Sequence, residues 1–202
     1  MSKWLMVVLL SLTSLVVAAK TPVIVVLGDS ISAAYGIKEE QGWVALLQTQ
    51  LKQAHLDYQL SNQSISGETT AGGLARLEGI LTEQKPAVVL VELGANDGLR
   101  GLSPVEMKNN LLQLLTRSQQ AGAKVLLLGM KIPPNYGKHY LELFYNIFPQ
   151  VATTLNVPLL PFLLEDVALK PELMQADGLH PNAQAQPSIA NKVAAFLFPF
   201  LR

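Results

Sequence analysis

Continuous apolar runs rich in β-branched residues recur along the chain and alternate with helical patterns. The strongest runs cover residues 23–27, 87–93 and 125–130, and weaker ones cover 58–65 and 157–160. An unbroken apolar run is typical of a parallel strand that is covered on both faces, whereas a half-exposed strand alternates apolar and polar residues. Helical spacing of apolar residues fills the intervening segments, which are 43–53, 70–83, 104–121, 140–155 and 183–201.

The alternation of strands and helices predicts an α/β fold. The arrangement that buries such elements is a three-layer α/β/α sandwich around a central parallel sheet of about five strands. No repeat, linker or low-complexity tract interrupts the pattern, so a single domain is expected over residues 20–202. In folds of this class, ligands bind at the carboxyl ends of the strands.

Composition excludes several classes of protein. Half of the residues are hydrophobic and 15% are charged, which is the opposite of a disordered chain. Lys and Arg together number 15, as do Asp and Glu, so no basic field is present to attract nucleic acid. The absence of cysteine excludes a disulfide framework, a thiolate nucleophile and cysteine metal sites.

The first 19 residues have the pattern of a secretory signal peptide. Lys3 supplies a positive charge, residues 4–10 form an apolar core, and the segment ends in Ala18 and Ala19. A membrane anchor is the alternative, but the apolar run is short for a span of about 20 residues. We expect cleavage near Ala19, no stable membrane anchor afterwards, and a mature protein outside the cytoplasm, which is the periplasm in a bacterium with two membranes.

Four polar stretches follow predicted strands or precede the last helix. They are "GDS" with Ser30, "NQSISGETT" with Gly67, "LGANDGLRG" with Asn96 and Asp97, and "ADGLHPN" with Asp177 and His180. Because the carboxyl ends of parallel strands meet at one edge of the sheet, these stretches are expected to lie together.

The residue types in these stretches suit acyl transfer. A serine hydroxyl is a weak nucleophile until a base takes its proton, and His180 is the favoured base because Asp177 lies three residues earlier and can orient the ring. The other two histidines, His55 and His139, are expected at the surface. The Ser30 backbone N–H, the Gly67 backbone and the Asn96 amide can supply the donors that an oxyanion needs.

Each stretch taken alone also has an ordinary structural interpretation. "GDS" and "DGLH" are common turn sequences, "GAND" can be a turn with an asparagine cap, and Gly67 can serve a tight turn. For Asp29 and Asp97 we favour hydrogen bonding to nearby backbone N–H groups, which would stiffen their loops, over a direct role in chemistry. The order of the four stretches and their shared position at strand ends make the catalytic interpretation the stronger one.

The stretches "GDSIS", "SISGETT", "GANDG" and "DGLHPN" resemble the successive blocks of the SGNH hydrolase, or GDSL esterase, superfamily. The resemblance covers nearly all of the chain after residue 19. It implies a flavodoxin-like sheet with strand order 2-1-3-4-5. It also implies Ser30 as nucleophile, Asp177 and His180 as the rest of a triad, and Ser30, Gly67 and Asn96 as the oxyanion hole.

The resemblance further implies a monomeric serine esterase that acts on small acyl esters and thioesters, aryl esters and lysophospholipids, without metal or other cofactor. Residues after strands three and four are candidates for an acyl groove, although ordinary loop packing explains them equally well; they are Leu99, Leu102, Ile132, Pro133 and Tyr136. A carbohydrate acetylesterase and a non-catalytic lipid-binding protein remain alternatives. A metal-dependent phosphoesterase is disfavoured, because the other histidines lack metal-ligand spacing relative to His180.

Overall fold

A computed structural model describes residues 20–201. The predicted signal peptide, residues 1–19, lies outside the described residues. The described chain contains five strands and six α-helices, in the order β1 (Val23–Gly28), α1 (Trp43–Gln53), β2 (Gln59–Asn62), α2 (Thr70–Gln84), β3 (Val88–Glu92), α3 (Ala95–Leu99), α4 (Pro104–Gln120), β4 (Lys124–Leu128), α5 (Lys138–Leu155), β5 (Leu159–Leu160) and α6 (Gln186–Leu197).

All five strands are parallel and lie in the order β2-β1-β3-β4-β5. Helices α1 and α6 pack together, and α2, α4 and α5 form a second group. The result is the three-layer sandwich that the alternating pattern predicted, with the strand order that the family resemblance implied. Every residue of β1 and β3 is buried, as expected of strands covered on both faces.

The element boundaries differ from the predicted ones where side chains intervene. Helix α3 was not predicted, because its residues belong to the "GAND" stretch that resembled a loop. The last helix begins at Gln186 instead of 183, since the Asn182 side chain accepts backbone bonds from Gln184 and Ala185 and holds that segment in a turn. It ends at Leu197, just before Pro199 in a short 3-10 turn.

None of the helices within residues 20–201 combines the length and apolar character that crossing a membrane would require.

Candidate active site

The four polar stretches meet at the carboxyl edge of the sheet. Strand β1 ends at Gly28, which pairs in register with Glu92 at the end of β3. Ser30, Gly67, Asn96 and His180 line one cavity at this edge. The chain therefore brings together residues from four segments that are far apart in sequence.

Ser30, His180 and Asp177 form a continuous hydrogen-bonded chain. The Ser30 Oγ atom lies 2.9 Å from His180 Nε2, and His180 Nδ1 lies 2.6 Å from Asp177 Oδ2. The two ring nitrogens thus face a hydroxyl and a carboxylate. When Nδ1 carries its hydrogen and donates to Asp177, the ring presents an unprotonated Nε2 to the serine hydroxyl.

The short loop "DGLH" fixes the carboxylate relative to the ring. Asp177 Oδ1 accepts the backbone N–H groups of Leu179 at 2.9 Å and His180 at 3.0 Å, and Gly178 takes the turn at φ +66°. Partial desolvation acts to raise the pKa of Asp177, but the bonds from the His180 backbone and ring and from Leu179 outweigh it and lower the pKa from 3.8 to about 2. Asp177 is therefore ionised at neutral pH.

The Asn96 amide is oriented by Asp29. Asn96 Nδ2 donates to Asp29 Oδ2 at 3.1 Å, while Asp29 Oδ1 accepts the Ile31 backbone N–H at 3.0 Å. Burial raises the pKa of Asp29 from 3.8 to about 6, although these bonds and the charge of His180 act in the opposite direction. Asp29 stiffens its loop, as predicted, and also holds the side chain of Asn96.

Two contacts hold the loop that carries Gly67. Gly67 adopts φ +80°, a conformation that favours glycine, and its carbonyl accepts a bond from Arg100 Nη2 at 2.7 Å. The buried Asp97 carboxylate accepts the backbone N–H of Thr70 at 2.8 Å and its hydroxyl at 2.6 Å. Asp97 therefore has a structural role, but it ties the start of α2 to α3 across 27 residues of sequence, whereas bonds within its own loop were expected.

The cavity beside Ser30 has a volume of about 190 Å³ and a mostly apolar wall. The apolar residues of that wall include Ile31, Leu99, Met130, Ile132, Pro133 and Leu164. A cavity of roughly 150 Å³ with a similar lining holds a benzene ring. The space suits a short acyl chain or a single aromatic ring.

The structure divides the five residues predicted for an acyl groove. Leu99, Ile132 and Pro133 line the cavity. Leu102 and Tyr136 are not among its lining residues. The Tyr136 hydroxyl donates to the Leu99 carbonyl at 2.8 Å, so this tyrosine holds the backbone behind the wall, and the Leu102 carbonyl is held in the same way by Tyr140 at 2.9 Å.

Sequence reasoning missed several residues of the site. The Tyr35 ring lies 4.6 Å from the His180 ring, centroid to centroid, and covers one side of it. Met130 and Leu164 belong to the cavity wall. Met130 lies at the end of the predicted fourth strand and could have been found by that position, whereas no local signal distinguishes Tyr35 or Leu164.

The remaining histidines and the neighbouring serines lie in other environments. His55 and His139 are exposed. The Ser32 hydroxyl is buried and donates to Glu92 at 2.7 Å. Ser66 lines the cavity, but the hydroxyl that is hydrogen-bonded to a histidine within residues 20–201 is that of Ser30.

The fold and the site together define a class: a hydrolase with a serine–histidine–aspartate constellation at the carboxyl edge of a parallel sheet. The chain belongs to the GDSL-like Lipase/Acylhydrolase family, whose model matches residues 26–186.

Named relatives match nearly the full length of the chain. It is 48% identical to Esterase TesA of Pseudomonas aeruginosa over 192 residues, covering 95% of this chain and 96% of the relative. It is 45% identical to Thioesterase 1/protease 1/lysophospholipase L1 of Escherichia coli (strain K12) over 184 residues, covering 91% and 87%.

A solved esterase structure also has the same fold as this chain. The psychrotrophic esterase EstA from Pseudoalteromonas sp., inhibited by monoethylphosphonate, superposes with a TM-score of 0.86 at 45% identity, covering 89% of this chain and 98% of that one. The protein is accordingly an enzyme, a carboxylic ester hydrolase.

Proposed function

We propose that the protein hydrolyses carboxylic esters and thioesters by covalent catalysis, with Ser30 as the nucleophile, His180 as the base and Asp177 as the orienting acid. The observation that carries this proposal is the hydrogen-bonded chain from Ser30 Oγ to His180 Nε2, at 2.9 Å, and from His180 Nδ1 to Asp177 Oδ2, at 2.6 Å. These distances lie within the range required of a nucleophile and its base.

In the first half of the reaction, Ser30 Oγ attacks the carbonyl carbon of the substrate and His180 Nε2 takes the hydroxyl proton. The tetrahedral intermediate collapses, the bond to the leaving alcohol or thiol breaks, and His180 returns the proton to that group. In the second half, His180 takes a proton from water, which attacks the acyl-enzyme. Collapse releases the carboxylic acid and restores the Ser30 hydroxyl.

Three donors stabilise the negative oxygen of each intermediate: the backbone N–H groups of Ser30 and Gly67 and the side-chain amide of Asn96. Preorganised donors are effective because they need not reorient as charge develops. Here Asp29 fixes the Asn96 amide, at 3.1 Å, and Arg100 and Asp97 hold the loop that carries Gly67.

The volume of the cavity limits the size of the acyl group that it can enclose. Its volume of about 190 Å³ is below the roughly 300–1,000 Å³ that encloses a drug-sized ligand. We infer that it holds a short acyl chain or the ring of an aryl ester, and that longer acyl chains and lysophospholipid head groups extend beyond it. Leu99, Ile132 and Pro133 contact the bound group, whereas Tyr136 holds the backbone behind the wall and Leu102 lies outside the cavity.

The proposal also includes export and oligomeric state. Residues 1–19 act as a signal peptide that is cleaved near Ala19, so the enzyme works outside the cytoplasm. The enzyme is a monomer in this proposal. In that compartment lysophospholipids are available as substrates, whereas acyl-CoA thioesters are not normally present.

A comparison of two serine variants tests the assignment of the nucleophile. Ser30→Ala should lower the hydrolysis of a p-nitrophenyl ester by something on the order of 10⁶, as in other serine-triad enzymes. Ser66→Ala, the matched variant in the same cavity, should retain most of the activity. Full activity in Ser30→Ala would overturn the proposal.

A substrate panel tests the specificity. It would contain p-nitrophenyl esters of increasing chain length, lysophosphatidylcholine and acetylated xylan. Preference for the short p-nitrophenyl esters would support the binding of a short acyl chain in the cavity, whereas preference for acetylated xylan would favour a carbohydrate acetylesterase.

A further inference from the structure

A fully buried glutamate lies at the end of β3, where an apolar residue would be expected. Glu92 has no exposed surface, and its four predecessors in the strand, Val88 to Val91, are all aliphatic. A buried carboxylate is costly unless it is paired with a charge or fully hydrogen-bonded. The presence of Glu92 at this position therefore needs a specific explanation.

The contacts of Glu92 satisfy only one of its two oxygens. Oε2 accepts the Ser32 hydroxyl at 2.7 Å and the Asp29 backbone N–H at 3.2 Å. Oε1 is buried, and within residues 20–201 no donor reaches it. A neutral carboxylic acid fits this pattern, because one oxygen accepts bonds and the other carries a hydrogen that needs an acceptor.

The Asp29 side chain is the neighbouring acceptor for that hydrogen. The two residues are in direct contact, since Glu92 Oε2 accepts the Asp29 backbone N–H at 3.2 Å, and an interaction between the two side chains contributes to the pKa of each. Asp29 is itself 1% exposed. Two adjacent buried carboxyls do not both ionise, because like charges in a medium of low polarity repel strongly. One proton must therefore be held by the pair.

The hydrogen bonds and the burial of each carboxyl determine which of the two keeps the proton. Asp29 accepts the Ile31 backbone N–H and the Asn96 amide, and it faces the charge of His180; all of these favour its carboxylate form. Glu92 is more deeply enclosed, and burial, followed by the charge of Asp29, raises the pKa of Glu92 well above its usual value. Within residues 20–201, His180 is the titratable group outside the pair whose charge acts on it, and it acts through Asp29.

We propose that Glu92 is a positioning residue for the oxyanion hole: it stays protonated, donates to the Asp29 carboxylate, and so keeps Asp29 aligned to hold the Asn96 amide. This inference rests on the proposed role of Asn96 as an oxyanion donor. Glu92 touches neither the substrate nor Ser30 and acts entirely through Asp29.

The glycine of "GDS" is consistent with this arrangement. A Cβ atom added at Gly28 would lie 2.7 Å from Glu92 Oε2 and 2.8 Å from the Ser32 Oγ and Cβ atoms. Gly28 thus leaves the space that the Glu92 carboxyl occupies. Gly28 and Glu92 are paired in register at the ends of β1 and β3, so a side chain at position 28 would collide with the Glu92 carboxyl.

Two substitutions at Glu92 separate a proton donor from a packing role. Glu92→Gln keeps an acceptor and a donor in the same shape, so kcat should stay within about threefold of wild type. Glu92→Met fills similar space without the donor, so kcat should fall about 10- to 100-fold with little change in KM. A Gln variant as impaired as the Met variant would overturn the proposal.

A double-mutant cycle shows whether Glu92 acts through Asn96. In an Asn96→Ala background, Glu92→Met should lower kcat by less than about threefold, because the group that it positions is gone. Full additivity of the two substitutions would contradict the proposal. Unaltered kcat in Asn96→Ala alone would instead count against the oxyanion assignment.

The proton itself can be observed without turnover. Infrared spectra of the folded protein at neutral pH should contain the carbonyl band of a protonated carboxylic acid, shifted by ¹³C-glutamate labelling and lost in Glu92→Gln. This measurement decides the question even if Glu92→Met fails to fold. Absence of a glutamate-derived band would overturn the proposal whatever the kinetics of the variants.

Discussion

The Asn96 side-chain amide donates to Asp29 Oδ2 at 3.1 Å. Asp29 directly precedes Ser30, and Asn96 lies in α3, so one hydrogen bond joins the loop after β1 to the helix that follows β3. This hydrogen bond fixes the orientation of the Asn96 amide, which lies in the cavity wall. This relationship links the proposed nucleophile and the proposed oxyanion hole, and it leads to the first prediction.

Asn96→Ala should lower kcat by about 10²–10³ with a smaller change in KM, because the amide acts on the transition state more than on the bound substrate. Steady-state kinetics with a p-nitrophenyl ester measure both values. Asn109→Ala, on the exposed face of α4, is the control and should behave as wild type. A loss confined to KM would indicate that Asn96 binds substrate and does not stabilise the oxyanion.

Asp177→Asn should leave the fold intact and lower kcat by about 10⁴, because an amide can stabilise the wrong tautomer of the His180 ring. Circular dichroism checks the fold and a stopped assay measures the residual rate. The control is Asp166→Asn, which removes one of the two ion pairs of Lys192 at a position that is not among the lining residues of the cavity. Comparable activity in the two variants would remove Asp177 from the proposed triad.

The buried Asp29 carboxyl should make stability depend on pH in a defined direction. Its pKa is about 6 in the folded protein, above the usual 3.8, so the folded state binds the proton more tightly than the unfolded state does. The contribution of Asp29 to stability is fully present below pH 3.8 and is lost as the pH rises through 6. Urea unfolding over this range should show the decline in wild type and a weaker one in Asp29→Asn. An equal decline in both proteins would assign the effect to another group.

The wall of the cavity should set the preferred acyl length. Leu99→Trp fills space beside Ser30, so kcat/KM for longer p-nitrophenyl esters should fall about tenfold or more relative to the acetate. Leu102→Trp is the matched control, since Leu102 does not line the cavity, and its chain-length profile should follow wild type. If both variants shift the profile equally, the acyl group binds along a different surface.

The sequence predicted the sheet and the edge at which the site forms, because burial on both faces leaves a strong local pattern in strands such as Val23–Gly28. It also predicted that Ser30, Asn96 and His180 would meet, since strand ends converge in a parallel sheet. Contacts that depend on side-chain packing over long sequence separations could not be predicted. The Tyr35 ring against His180 is one example, and the Glu92 carboxyl against Asp29 is another.

Local ambiguity accounts for the other differences. The residues "GAND" suit a turn as well as a short helix. In the structure Gly94 adopts a left-handed conformation, and helix α3 begins at the next residue, Ala95. Strand β2 was predicted over 58–65 but pairs only over Gln59–Asn62, because it is an edge strand with one neighbour. Beyond it, the Asn62 side chain turns the backbone by accepting the N–H of Ser64.

The Ser30 hydroxyl is the proposed nucleophile, activated by His180. A fluorophosphonate reacts with a serine only when a base has activated it. Intact-mass analysis followed by peptide mapping should therefore reveal one stoichiometric adduct, on Ser30, that disappears in Ser30→Ala and weakens strongly in His180→Ala. An adduct on Ser64 or Ser66, or continued ester hydrolysis with no adduct at all, would contradict the account.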